Sequence, residues 1–164
     1  MSDANLAAIR LVAFDVDGVF TDGRFYLSNE GIESKAFYTQ DGFGIRQLLK
    51  ACIEVAVISG RSSAAVAERM AELKVTHVIQ GCGDKVAALD KIATSLGISA
   101  ADCAYVGDDV PDLPLLNHVS YAIAVANAVA AVHTHCDYST SASGGFGAVR
   151  EVCELILGAR GQHS

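Results

Sequence analysis

Short apolar runs alternate along the chain with stretches of helical spacing. The runs carry almost no polar positions, which is typical of parallel strands covered on both faces. We predict strands at Leu11–Phe14, Val55–Ile58, His77–Ile79, Ala104–Val106 and Tyr121–Ala124. The spacing between them predicts helices over Gly44–Cys52, Ser63–Lys74, Lys85–Leu96 and about Ala148–Leu157. This alternation predicts one α/β domain over residues 1–164, a doubly wound parallel sheet with a Rossmann-like core.

One segment, Arg24–Thr39, interrupts the alternation. Its two alternating runs surround a turn that contains Asn29 and Gly31, which predicts a β-hairpin. Ligands of open α/β sheets bind beyond the carboxyl ends of the strands. Because the hairpin follows the first strand, we expect it to form a small flap over a site.

Polar clusters follow four of the predicted strands. In chain order they are Asp15 with Asp17, then Ser59-Gly60-Arg61, then Lys85 at the start of a helix, and finally Asp108, Asp109 and Asp112. The carboxyl ends of parallel strands lie at one edge of a sheet, so these side chains are expected to converge. Each cluster alone has an ordinary interpretation as a turn, a helix cap or a solvated loop. Their combination favours a functional site.

The residue types suit phosphoryl transfer. Asp15 is a candidate nucleophile that would form an aspartyl-phosphate, and Asp17 is a candidate general acid and base. A phosphate dianion repels Asp15, so we predict Mg²⁺ held by Asp15, Asp108 and a backbone carbonyl. Ser59 suits the phosphoryl oxygens, and Lys85 supplies a balancing positive charge.

Two further acidic residues of the last cluster, Asp109 and Asp112, are expected to orient the metal through its waters. A substrate that carries both a phosphate and a carboxylate would suit arginine side chains, which recognise both groups.

The composition narrows the function classes. The chain has 164 residues, 51% of them hydrophobic, and a net charge of -7. The negative charge argues against nucleic-acid binding, and no apolar run is long enough for a membrane helix. The N-terminal MSDANLAAIR does not resemble a signal peptide. Five scattered cysteines without a C-x-x-C pattern predict reduced thiols in a cytoplasmic protein.

The four clusters resemble the motifs of the haloacid dehalogenase superfamily of phosphohydrolases: D-x-D-G, S/T-G, a lysine and G-D-x-x-x-D. The spacing leaves no room for a large cap domain, so the chain resembles the capless branch. Within that branch, DGFGIRQLL, YVGDDVPDLPLL and GGFGAVREVCELIL resemble the 3-deoxy-D-manno-octulosonate 8-phosphate phosphatases. The resemblance implies hydrolysis of a sugar acid phosphate in lipopolysaccharide precursor biosynthesis by a homotetramer.

The resemblance also implies site residues. Mg²⁺, with Mn²⁺ or Co²⁺ as substitutes, would be bound by Asp15, the Asp17 carbonyl and Asp108. The substrate would be bound by Tyr38, Thr39, Gln40, Asp41, Gly42, Arg46, Gly60, Arg61, Arg69 and Lys85. A C-terminal tail, about residues 143–164, would help to close the site. The chain departs from the family pattern at Gln40 and Phe146, where a basic residue is common.

Three alternatives remain open on the sequence. A phosphatase of a nine-carbon keto-sugar acid 9-phosphate would share every catalytic motif. A receiver-like signalling domain phosphorylated on aspartate also has a doubly wound sheet with clustered acids, but it lacks a general acid two residues after the nucleophile. The third alternative is a binding module that kept the motifs without activity.

Overall fold

A six-stranded parallel sheet forms the centre of the protein, as the computed structural model shows for residues 3–162. Its strands are β1 (Leu11–Phe14), β4 (Glu54–Ile58), β5 (His77–Ile79), β6 (Cys103–Gly107), β7 (Tyr121–Ala124) and β8 (Tyr138–Ser139). They lie in the order β5-β4-β1-β6-β7-β8. The chain therefore reverses direction across the sheet beside β1, where a doubly wound fold places its ligand.

All five predicted strands are confirmed, with β4 and β6 slightly longer than predicted. The short sixth strand, β8, pairs in parallel with β7 and was not predicted. Its two residues are too few to show any periodicity.

Helices cover both faces of the sheet. Their bounds are α1 (Asp3–Ala7), α2 (Thr39–Lys50), α3 (Ala64–Leu73), α4 (Lys85–Ser95), α5 (Leu113–Leu116), α6 (Ala130–His133) and α7 (Ala148–Ala159). The four predicted helices are confirmed, but α2 begins five residues earlier than predicted. Its first turn therefore contains Asp41 and Gly42.

Two apolar clusters form the core, one on each face of the sheet. Alternate residues of β1 point to opposite faces, as in any strand. Val12 and Phe14 pack with α2, α3 and α7, whereas Leu11 and Ala13 pack with α4 and α5. A sheet covered on both faces explains why its strands are uniformly apolar.

The predicted hairpin is confirmed between β1 and α2. Its strands are β2 (Tyr26–Leu27) and β3 (Glu33–Ser34), which pair antiparallel. The turn has Gly31 at a φ of 79°. Within residues 3–162 this flap, residues 24–39, is the only insertion between β1 and α2, and no cap domain is present.

The C-terminal segment packs against the loop that follows β1. A Cβ atom at Gly144 would lie 1.7 Å from the Gly18 carbonyl oxygen, and one at Gly145 would lie 2.5 Å from the Asp22 nitrogen. Such close approach of two backbones requires glycine. The tail thus supports the loop that carries the first aspartate pair.

Among the described residues, no helix has the length and apolar character that crossing a membrane requires. All five cysteines are free thiols, as predicted; Cys103 and Cys153 are buried.

Candidate active site

The four polar clusters converge at the carboxyl edge of the sheet, as the sequence predicts. They line one cavity of about 200 Å³. The lining residues are Asp15, Asp17, Ser59, Gly60, Arg61, Lys85, Asp108, Asp109, Pro111 and Asp112. All four predicted catalytic residues and all the acidic residues predicted to bind or orient the metal therefore share a single cavity.

Lys85 lies at the centre of the charged groups. Its Nζ atom donates to Oδ1 of Asp15 at 2.9 Å and to Oδ1 of Asp112 at 2.8 Å. The lysine opens α4, whose N-cap is Asp84, with a side chain that accepts a hydrogen bond from the Ala87 N–H. Burial alone would lower the pKa of Lys85, but the two carboxylates outweigh burial and raise it. The ammonium group therefore stays charged.

Asp112 is a buried structural support of the site. Its Oδ1 also accepts from the Tyr105 hydroxyl at 2.6 Å, and its Oδ2 accepts from the N–H groups of Asp108 and Asp109. The same side chain therefore holds Lys85 and the loop that presents Asp108. Tyr105 is a functional residue that sequence reasoning missed, because a tyrosine within an apolar strand is typical of core.

The side chain of Asp109 does not take part in the hydrogen bonds that join Lys85, Asp15, Asp112 and Tyr105. Its side chain accepts from the Val110 N–H and caps the short 3₁₀ turn Val110–Asp112. It lines the cavity without joining the buried carboxylates.

The carboxylates of Asp15, Asp108 and Asp112 are crowded. Each offers an oxygen within 4.8 Å of those of the other two. Burial raises the pKa of Asp15 to about 6, with the Asp112 charge adding to it and Lys85 opposing it. Burial, together with the charges of Asp15 and Asp112, raises the pKa of Asp108 to about 7.

This donor set fits a hard divalent cation. Oxygen ligands are those that Mg²⁺ prefers, and a cation would relieve the repulsion that raises both pKa values. Because both oxygens of Asp112 already accept hydrogen bonds, Asp15 and Asp108 are the better ligands. A Cβ atom at Gly18 would lie 2.0 Å from Oδ2 of Asp108, so glycine there keeps room for this carboxylate.

The Asp17 side chain points away from this group, toward the flap. Oδ1 of Asp17 forms an ion pair with Lys35, and its Oδ2 lies 3.8 Å from Nε of Arg61. Arg61 also donates to Oε2 of Glu33 at 2.7 Å. The flap therefore lies over the site, as expected. Lys35 and Glu33 were missed because the sequence does not show which charges a flap will meet.

Ser59 follows the last residue of β4 and is buried. Its Oγ accepts from the Arg61 N–H at 3.3 Å, and its own N–H donates to the Ile79 carbonyl. Ser59 and Gly60 both line the cavity, and a hydroxyl followed by backbone N–H groups in a turn is suited to binding an anion.

The remaining predicted substrate residues do not line this cavity. They are Tyr38, Thr39, Gln40, Asp41, Gly42, Arg46 and Arg69. Arg46 lines a separate cavity of about 780 Å³ between α2 and α3. Arg69 forms an ion pair with Glu72, with its Nη1 atom 2.8 Å from Oε2, and its guanidinium group packs against Gly42.

Asp41 is buried inside the subunit. Its Oδ1 accepts a hydrogen bond from the Arg150 N–H in the first turn of α7, at 2.9 Å. Burial raises the pKa of Asp41 to about 6. In this structure the side chain joins α2 to α7, whereas the prediction has it face a substrate.

Known proteins are similar to this chain in sequence and in fold. Residues 76–150 match the model of the haloacid dehalogenase-like hydrolase family. The chain is 46% identical over 154 residues to 3-deoxy-D-manno-octulosonate 8-phosphate phosphatase KdsC of Escherichia coli, covering 94% of this chain and 82% of that protein.

Two solved structures are also close. The phosphatase of that name from Moraxella catarrhalis, in complex with magnesium, phosphate and KDO, is 46% identical with a TM-score of 0.94, covering 97% of this chain and 91% of that one. The cobalt-bound form of the Haemophilus influenzae enzyme is 39% identical with a TM-score of 0.93, covering 96% and 92%.

The fold and the site define a haloacid dehalogenase-like hydrolase without a cap domain. Membership of this class contradicts the receiver-like alternative, because the members of the class are hydrolases and a receiver domain is a signalling module. Within the class, the chain belongs to the 3-deoxy-D-manno-octulosonate 8-phosphate phosphatase family, as its identity to the Escherichia coli protein shows.

Proposed function

We propose that the protein hydrolyses 3-deoxy-D-manno-octulosonate 8-phosphate to the free sugar acid and phosphate. The observation that carries the proposal is the convergence of Asp15, Asp17, Ser59, Lys85 and Asp108 on one cavity, in a chain 46% identical to a phosphatase of that substrate. The proposed place of the reaction is cytoplasmic synthesis of lipopolysaccharide precursors.

Asp15 is the nucleophile in this proposal. Its carboxylate oxygen forms a bond to phosphorus while the bond from phosphorus to the sugar oxygen breaks. Asp17 protonates the leaving alkoxide. Asp17 then takes a proton from water, whose oxygen attacks phosphorus and releases phosphate and the free Asp15 carboxylate.

The neighbouring groups position the phosphoryl oxygens and balance their charge. Ser59 Oγ and the N–H of Gly60 donate hydrogen bonds to the phosphoryl oxygens, and Lys85 offsets the negative charge shared by Asp15 and the phosphate. Asp15, Asp108 and the Asp17 carbonyl would hold Mg²⁺, which would supply charge stabilisation at the phosphoryl group. Asp112 holds Lys85 and the Asp108 loop in place, and Asp109 caps the adjacent turn.

The sugar acid requires further contacts, because the 200 Å³ cavity is open and lined mainly by phosphate-directed groups. Arg61 is the proposed contact from the same subunit. Tyr38, Thr39, Gln40, Arg46 and Arg69 lie outside the cavity, so we assign them to the site of a neighbouring subunit. Asp41 and Gly42 are buried within their own subunit, so the role proposed for them is to support the first turn of α2.

This assignment requires an oligomer, which we propose to be a homotetramer. Four apolar side chains of the flap support it: Phe25, Tyr26, Leu27 and Ile32 are between 43% and 66% exposed. An apolar group of this kind on a projecting hairpin is typical of a subunit interface. The proposed role of the tail is to support the loop after β1 through Gly144 and Gly145, with the exposed Phe146 at the site entrance.

The test is Mg²⁺-dependent phosphate release from three esters: 3-deoxy-D-manno-octulosonate 8-phosphate, a nine-carbon keto-sugar acid 9-phosphate and an aryl phosphate. We expect kcat/KM for the first to exceed the others by about 100-fold, or about 2.7 kcal/mol of transition-state discrimination. A preference for the nine-carbon ester would contradict the substrate and keep the mechanism. Asp15→Asn should remove phosphate release and keep the fold, whereas near-normal turnover would contradict the covalent step.

A further inference from the structure

Four charged side chains form a closed ring at the mouth of the site. Asp17 pairs with Lys35, Lys35 lies 3.7 Å from Oε1 of Glu33, Glu33 pairs with Arg61 at 2.7 Å, and Arg61 lies 3.8 Å from Asp17. The charges alternate in sign around the ring. Asp17 and Arg61 belong to the catalytic edge of the sheet, whereas Glu33 and Lys35 belong to the flap.

An aromatic side chain of the flap completes the arrangement. The guanidinium carbon of Arg61 lies 4.2 Å from the centre of the Phe25 ring, and the Lys35 Nζ atom lies 5.9 Å from it. Both cations of the ring therefore lie near the Phe25 ring, whose face favours positive charge. Through Arg61, Phe25 links the flap to the catalytic edge of the sheet.

The ion pair between Lys35 and Asp17 is partly buried. Its side chain is 0% exposed, compared with 79% for Arg24 on the same flap. A buried ammonium group requires a partner charge, since its desolvation is otherwise uncompensated. Glu33 Oε1 lies 3.7 Å from the Lys35 ammonium group, and within residues 3–162 it has no hydrogen-bond partner. Asp17, which lies closer, is therefore the principal partner of Lys35.

We propose that Lys35 is a positioning residue for the general acid and base, Asp17, and that the charge ring couples the placement of the flap to the orientation of Asp17. The inference rests on the role proposed for Asp17. Lys35 and Arg61 face opposite oxygens of the Asp17 carboxylate, so together they fix the plane of that carboxylate. Without Lys35, the Asp17 carboxylate would be free to rotate.

The kinetic test uses Lys35→Met, which keeps the length of the side chain without its charge, and Arg24→Met as the matched control on the flap. General acid–base catalysis contributes about 10²–10⁴-fold, so we expect Lys35→Met to lower kcat for the sugar acid phosphate by about 10-fold or more. The KM should change by less than about 3-fold, because the phosphate contacts remain. Lys35→Arg should recover part of the lost kcat.

A double-mutant cycle separates positioning from a structural effect. If Lys35 acts through Asp17, Lys35→Met should change kcat by less than about 2-fold in an Asp17→Asn background. An equal loss of kcat in both backgrounds would overturn the proposal, as would a normal kcat in the single variant.

The cover that the flap gives to Arg61 can be measured without turnover, since the chain has no tryptophan. Phe25→Trp places a single fluorophore against Arg61, and acrylamide quenching then reports how well the flap covers it. We expect quenching to increase with Lys35→Met or Glu33→Gln and to stay unchanged with Arg24→Met. Unchanged quenching in all three variants would overturn the proposed link between the charge ring and the flap, even if the wild type hydrolyses the sugar acid phosphate. If the wild type released no phosphate, the proposed function would be contradicted, but the quenching measurement would still test the link.

Discussion

The Nζ atom of Lys85 lies 2.9 Å from the Asp15 carboxylate, although 70 residues separate them in the chain. Both side chains are nearly buried, at 11% and 12% exposure, and the third partner, Asp112, is 2% exposed. One ammonium group thus pairs with two carboxylates at the centre of the proposed phosphate site. Its loss would leave both of them buried without a counter-charge.

Replacing Lys85 by Met should therefore affect both stability and activity. Removing one partner of a buried ion pair costs about 3–5 kcal/mol, which urea unfolding at pH 8 will measure. The cost should shrink at pH 5.5, because Asp15 can then take up a proton. Loss of the phosphate-balancing charge should lower kcat by about 10²-fold or more.

The control for this prediction is Lys91→Met, which removes an exposed lysine from the same helix, α4. We expect this control to retain wild-type stability and kcat. A Lys85→Met variant that resembles the control would contradict the role of Lys85.

The glycine at position 18 makes a second prediction possible. Gly18 has a φ of +92°, and its Cβ would collide with Asp108. Gly18→Ala should therefore displace the Asp108 carboxylate and weaken Mg²⁺ binding, measured by calorimetry. Gly31→Ala is the matched control, because Gly31 has a φ of +79° and open space around it. Equal Mg²⁺ affinity in both variants would mean that Asp108 does not need the space at Gly18.

The sequence predicts the site well where the information is local. Each cluster follows an apolar strand, and the parallel topology alone brings Asp15, Ser59, Lys85 and Asp108 to one edge. The sequence predicts less of the site where a side chain is held by contacts with residues from other parts of the chain. Neither the Tyr105–Asp112 hydrogen bond nor the ring through Lys35 has a local pattern.

The start of α2 differs from the prediction. The helical spacing predicts a start at Gly44, and Gly42 is a poor helix former, so propensity gives no reason to extend the helix past it. In the structure both glycines allow close packing: a Cβ at Gly42 would lie 2.4 Å from Arg69, and one at Gly44 would lie 3.0 Å from Cys153. Tertiary contacts with α3 and α7 therefore extend the helix to Thr39.

Magnesium binding should depend on pH. In the metal-free protein the pKa is about 6 for Asp15 and about 7 for Asp108, so protons compete with the metal at both ligands. Between pH 8 and pH 5.5 the apparent affinity for Mg²⁺ should fall by at least about 10-fold. Calorimetric titrations at the two pH values will measure this change. Asp108→Asn should bind weakly at both, and an affinity independent of pH would contradict the proposed ligand pair.

The buried carboxyl of Asp41 yields a stability prediction with a definite sign. Its pKa in the folded protein is raised from 3.8 to about 6, so the folded state holds the proton more tightly than the unfolded state. Asp41 therefore destabilises the fold progressively as pH rises from about 4 to about 6, and its full cost is present above that range. A shift of this size corresponds to a cost of about 3 kcal/mol at pH 8.

Asp41→Asn should remove most of this cost, because asparagine keeps an oxygen that accepts from the Arg150 N–H and cannot ionise. We expect the variant to exceed the wild type in free energy of unfolding by about 1–3 kcal/mol at pH 8 and by much less at pH 4.5. Urea unfolding at both pH values measures the difference. Glu68→Gln, which removes an exposed carboxylate from α3, should show little change at either pH. Equal destabilisation by Asp41→Asn at both pH values would contradict this prediction. It would mean that the ionised carboxylate stabilises the α2–α7 contact and that the pKa of Asp41 is not raised on folding.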